Sequence, residues 1–124
     1  MDNLIIESTK STPKVIGDTQ IGNLTLSGNL FPENSIIFFK PIYNWITDLS
    51  KQCNSFEVEF ELNYISSSSV IQILKTMQLV EELNQDCKIK FIWKYEEDDE
   101  DIQKLGEEFN KLTKSPMDLI SIDV

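Results

Sequence analysis

Phe56-Glu57-Val58-Glu59-Phe60-Glu61-Leu62 is the stretch on which the reading of the fold turns. Apolar and acidic residues alternate strictly, the period-2 signature of a strand with one buried face and one wet face. A few residues on, Ser66-Ser67-Ser68-Ser69 opens a second pattern, in which Val70, Ile73, Leu74, Met77, Val80 and Leu83 recur at steps of three and four. That spacing predicts an amphipathic helix, with Ser69 and Gln72 as a capping-box pair at its start. A strand passing directly into a helix predicts a crossover, and the pattern repeats downstream. Residues 88–95 alternate Ile89, Phe91 and Trp93 with Lys88, Lys90 and Lys94; the acidic run 96–101 then leads into a helix ending near Leu112. Acids favour the positive N-terminal end of a helix. A last strand is expected over residues 117–124, with Leu119, Ile120 and Ile122.

Upstream, residues 4–6, 13–16 and 24–27 are short β-prone runs separated by Gly17-Asp18 and Gly22-Asn23, and they read as a meander or hairpin. Pro32-Glu33-Asn34-Ser35 supplies capping residue types before a helical pattern through about Gln52, with Phe38, Phe39, Ile42, Trp45, Ile46 and Leu49 on one stripe. Pro41 falls inside it and either kinks the helix or restarts it. The order is β-β-β-α-β-α-β-α-β. The expected fold class is α/β: a single domain over residues 1–124, with about three helices on a mixed sheet, antiparallel at first and parallel thereafter. This element order resembles the STAS (anti-sigma-factor antagonist) architecture.

The composition excludes several functions. The chain has 124 residues, 11 basic (all lysine) against 21 acidic, and a net charge of −10. Nucleic acids and anionic membranes are poor partners for such a surface, and with no arginine there is no bidentate fork for phosphate or guanine. Histidine is absent, which removes the commonest general base and excludes Ser–His–Asp and Cys–His machinery. Cys53 and Cys87 are too few for a structural zinc site; each precedes a strand, and two reduced thiols are the simpler reading beside a disulfide. Glu57, Glu59 and Glu61 could suggest a metal site, yet alternation alone produces them on a solvated face or one covered by lysine stems. The acidic run has neither the turn glycine nor the closing glutamate of a calcium loop. No metal and no cofactor is expected. The N-terminus shows no basic patch followed by an apolar core, so a cytoplasmic protein is expected.

The serine run carries the functional signal. One serine suffices for a helix cap, which leaves Ser66, Ser67 and Ser68 as hydroxyls at the carboxyl end of a strand, where ligands of open α/β sheets are usually met. A phosphate there would add about −1.5 to −2 charges beside unpaired backbone N–H groups, altering a surface without refolding the domain. The pure cap remains the alternative. Pro32, Glu33, Asn34 and Ser35 could equally be a partner-facing loop or a helix-entry turn.

Together with these residues, Ser11-Thr12-Pro13, Gly17-Asp18, Phe31, Trp45, Tyr64, Trp93, Tyr95 and Gly106-Glu107-Glu108-Phe109 give the chain a resemblance to the SiaC family of bacterial regulatory phosphoproteins. The resemblance implies a STAS-like fold and a role in biofilm and cyclic-di-GMP signalling. It implies a hydroxyl phosphorylated by a GHKL-type Ser/Thr kinase and reset by a metal-dependent phosphatase, and a regulatory protein that in its unphosphorylated form binds and activates a diguanylate cyclase. By position the acceptor is Ser67, with Ser66 and Ser68 as substitutes; Tyr64 joins the partner-facing residues. The expected function is therefore a non-catalytic, phospho-regulated binding protein. The alternatives are an unmodified scaffold of the same fold and, remotely, a magnesium-dependent hydrolase using Glu57, Glu59, Glu61 or the acidic run.

Overall fold

A computed structural model describes residues 2–51 and 54–123. The chain runs β1 (Leu4–Ile6), β2 (Lys14–Asp18), β3 (Asn23–Leu30), α1 (Ser35–Leu49), β4 (Ser55–Ile65), α2 (Ser67–Leu83), β5 (Lys88–Glu96), α3 (Glu100–Leu112) and β6 (Met117–Ile122). The six strands form one sheet in sequence order; β1–β2 and β2–β3 are antiparallel, and β3–β4, β4–β5 and β5–β6 are parallel. This is the expected mixed α/β architecture.

Three parallel crossovers that step one strand each in the same direction put their helices on one side of the sheet when all are right-handed. The packing agrees. Trp45 of α1 meets Phe56 edge-on, and Phe109 of α3 meets Trp93, which in turn lies against Phe60. Ile73, Met77 and Val80 of α2 complete the same core. Among the described residues the opposite face carries no helix. There Glu57, Glu59 and Glu61 stand beside the lysines of β5, and Lys94 Nζ lies 3.4 Å from Glu59. Lys90 pairs with Asp118 of β6 at 2.9 Å. The glutamate row is thus a solvated face crossed by lysines.

Several boundaries differ from the sequence expectation. Gly17-Asp18 ends β2 rather than forming a turn; the turn follows, with Asp18 Oδ1 accepting from the N–H of Gln20 and Ile21. A Cβ on Gly17 would fall 2.7 Å from the Trp45 ring, so the bare backbone is what seats the indole. β3 continues to Leu30 because the ladder with β4 shifts register at Gly28/Asn29, and Gly28 takes φ +125°, a conformation side chains avoid. Helix α1 runs unbroken through Pro41 and ends at Leu49, where the Ser50 N–H bonds to Ile46 O.

Candidate functional site

The parallel ladder decides where the site lies. Leu30 and Ile65 are register partners, so β3 and β4 end side by side and release their loops at the same edge. The β1–β2 loop comes back to that edge as well, since β2 runs antiparallel to β3. Backbone bonds tie the three segments together: Ser66 N–H donates to Leu30 O at 2.9 Å and Phe31 N–H donates to Ser11 O at 2.8 Å. The Ser11–Pro13 turn, the loop after Phe31 and the serine run therefore form one surface, although more than fifty residues separate the first from the last. The acidic run leaves the carboxyl end of β5, the next strand over, and Asp99 caps α3 by accepting from Ile102 N–H at 3.1 Å.

The four serines are not equivalent. Helix α2 starts at Ser67 with Ser66 as its N-cap, so the expected capping box of Ser69 and Gln72 is not formed. Strand β4 persists to Ile65, which moves the helix start three residues earlier and puts Ser69 inside the first turn. There Ser69 is fully buried, and its Oγ accepts from Ser66 Oγ at 2.8 Å. Gln72 is also buried; its Oε1 accepts from the Tyr43 hydroxyl at 2.7 Å, bracing α2 against α1 rather than reaching back to the cap. Ser66 is half-buried and its side chain makes no bond to a helix amide. Ser67 and Ser68 alone of the four are exposed.

The loop after β3 divides in the same way. Asn34 Oδ1 accepts from Ile37 N–H at 3.1 Å, an ordinary N-cap for α1. Ser35 is buried beneath that turn, so the expectation that it faces a partner is corrected. Pro32 is half-buried and Glu33 exposed. Tyr64 is 57% exposed and stands edge-on to Phe31, itself 40% exposed, with ring centroids 5.3 Å apart. Beyond the register shift Tyr64 stands opposite Asn29, and Phe31 follows two residues on.

Burial raises the Tyr43 phenol above its ordinary pKa of 10, opposed in part by the Thr76 hydroxyl. Among the described residues no group of three or more acidic, cysteine or histidine side chains is placed to hold a metal ion. No helix among them is long and apolar enough to cross a membrane. Cys87 is half-buried with its Sγ 3.8 Å from Asn84 Oδ1; Cys53, its suggested partner, lies outside the described residues.

A model of the SiaC family of regulatory phosphoproteins matches residues 6–122. The chain belongs to the SiaC family. A curated relative, an uncharacterized protein of Pseudomonas aeruginosa strain UCBPP-PA14, is 32% identical over 113 residues, 90% of each chain. Among solved structures, apo-SiaC from Pseudomonas aeruginosa superposes with a TM-score of 0.87 at 30% identity, over 97% of this chain and 99% of that one. A crystal structure of the diguanylate cyclase SiaD in complex with its activator SiaC, also from Pseudomonas aeruginosa, contains a chain that matches with a TM-score of 0.89 at 29% identity, over 96% and 99% respectively. The likeness spans both chains almost end to end, so the serine edge lies within the shared fold.

Proposed function

We propose that this chain is a non-catalytic, cytoplasmic switch protein in cyclic-di-GMP signalling and biofilm control. It binds and activates a diguanylate cyclase while Ser67 is unmodified. A GHKL-type kinase phosphorylates Ser67 and ends the interaction, and a metal-dependent phosphatase restores it. Family membership supports the regulatory role, and the complex of SiaD with its activator SiaC supports the class of partner.

The observation that carries the choice of residue is the sorting of the four hydroxyls. Ser69 is closed off by burial, and the Ser66 hydroxyl is engaged with it. Ser67 presents its side chain from the first turn of a 17-residue helix. A phosphate of about −1.5 to −2 charges at that position meets the positive end of the helix, which tolerates it. The fold therefore survives modification, and the change is one of surface. Ser68 is the nearest substitute, since it is exposed as well.

The test is labelling by the cognate kinase followed by intact mass measurement of wild type and the Ser66→Ala, Ser67→Ala and Ser68→Ala variants. Only Ser67→Ala should remain unlabelled. Full labelling of Ser67→Ala, with loss in either neighbour, reassigns the acceptor. Absence of labelling in wild type refutes the phospho-switch itself.

A further inference from the structure

Sequence order leaves β1 and β6 at the two margins of the sheet. β1 is three residues long and offers little to pair with. β6 is different. Residues Met117–Ile122 follow β5 without a shift of register, and the strand carries no proline, no lysine and no bulge, the devices that blunt a sheet edge. Asp118, Ile120 and Ser121 are exposed, and Ile120 is a large apolar side chain left 38% accessible.

Two bonds fix which way the backbone of this edge points. Phe91 N–H donates to Pro116 O at 2.9 Å and Glu97 N–H donates to Ile122 O at 3.0 Å, so residues 116, 118, 120 and 122 turn their polar groups toward β5. By alternation Met117, Leu119, Ser121 and Asp123 turn theirs outward. Among the described residues no bond takes up these outward groups. The row is also held ready: Glu81 Oε2 accepts from the N–H groups of Lys114 and Ser115 at 2.8 and 2.7 Å, anchoring the chain where it enters β6. An edge ordered in advance loses little freedom on pairing.

We propose that β6 pairs with β6 of a second copy of this chain, antiparallel across a two-fold axis through Ile120. Under that operation Met117 faces Asp123 of the second copy and Leu119 faces Ser121, so all four outward residues are used twice over. The exposed Ile120 side chain meets its own twin. An axis at Leu119 would set Asp123 opposite Ser115, whose N–H is already held by Glu81. An axis at Asp118 would oppose like charges directly.

Charge favours a second copy as the occupant. The carboxyl end of β6 lies beside Glu97 and Asp98, both exposed, whereas the amino end follows the exposed Lys114. Antiparallel pairing brings the acidic end of each strand to the lysine end of the other, which offsets locally the repulsion between two chains of net charge −10. Pairing β6 with itself also closes the assembly at two, whereas pairing β6 with β1 would be open-ended and rest on three residues. The serine run is left free, since β5 separates β4 from the seam.

The experiment measures mass in solution by sedimentation from about 1 μM to 1 mM, the range that captures weak edge pairing. Wild type should pass from monomer to dimer. Ser121→Pro removes one outward N–H and leaves the β5 ladder whole, and Ile120→Lys opposes two like charges on the axis; each should raise the dissociation constant at least about 10-fold, while melting curves show the fold retained. Register is read by cross-linking in a Cys53→Ser/Cys87→Ser background. Cα atoms of a non-hydrogen-bonded pair are about 4.5 Å apart, within disulfide reach, so Ile120→Cys should give a covalent dimer under mild oxidation and Ser121→Cys should not. A monomer at every concentration overturns the proposal. So does a dimer that withstands both Ser121→Pro and Ile120→Lys, or one in which Ile120→Cys fails to cross-link.

Discussion

Removing the hydroxyl of Ser66 and removing that of Ser69 should have unequal effects, and the inequality follows from which one is buried. Ser66 Oγ donates to Ser69 Oγ at 2.8 Å, and Ser69 is fully inaccessible. In Ser66→Ala the Ser69 hydroxyl stays in the interior without that donor, and an unsatisfied buried polar group costs about 1–3 kcal/mol. Little is added for loss of the cap, since the Ser66 side chain bonds no helix amide. In Ser69→Ala the surviving hydroxyl is half-buried and can turn to water or to a free amide of the first turn. The lost bond, about 1 kcal/mol, is then partly offset by the better helix propensity of alanine, about 0.5 kcal/mol. The net cost should be about 0.5 kcal/mol. With both hydroxyls gone no orphan remains, so the double variant should be more stable than Ser66→Ala alone, a coupling of about 1 kcal/mol. Urea denaturation followed by the fluorescence of Trp45 and Trp93 measures this, with a midpoint drop of about 0.5–1.5 M for Ser66→Ala. If Ser69→Ala costs more than Ser66→Ala, or the two costs simply add, the hydroxyl pair is not what organises this turn.

Three further outcomes rest on other parts of the fold. A Cβ at Gly106 would lie 2.3 Å from Trp93 Cδ1 and 2.8 Å from Leu119 Cδ2, so Gly106→Ala should destabilise by about 1–3 kcal/mol despite alanine's helix propensity, and the melting temperature will show it. Glu81 Oε2 accepts from the N–H groups of Lys114 and Ser115 and from Ser115 Oγ, so Glu81→Ala should release the segment before β6; hydrogen exchange at residues 113–116 should rise before exchange elsewhere. The raised pKa of Tyr43 means that the folded state holds its proton more tightly than the unfolded state; that stability is complete below the ordinary value of 10 and is lost as pH climbs through the folded pKa. Denaturant midpoints from pH 9 to 11 should fall more steeply for wild type than for Tyr43→Phe.

Much of the fold could be read along the chain because its strands are unambiguous. Phe56, Val58, Phe60 and Leu62 admit only one buried face, and Ile89, Phe91 and Trp93 repeat the pattern one strand on. The boundaries missed were those set by tertiary context. Gly28-Asn29 reads locally as a strand end, yet the β4 ladder carries β3 through it by a shift of register. Four consecutive serines offer four equivalent caps to any local rule; the length of β4 and the burial of Ser69 make the choice. The serine edge was legible as hydroxyls between a strand and a helix. The pairing of Phe31 with Tyr64 was not, because it exists only across a ladder between segments 33 residues apart.

The bonds from Ser66 to Leu30 and from Phe31 to Ser11 have a practical consequence for reagents. The epitope around the serine run is assembled from three stretches of chain that meet only in the folded sheet, so a linear peptide copied from residues 60–75 carries the serines without their surroundings. Such a peptide should neither compete for the proposed cyclase partner nor serve as an efficient substrate of the proposed kinase. An antibody raised against it would recognise denatured protein on a blot and miss the native molecule. Inhibitors and detection tools for this edge have to be selected against the folded chain.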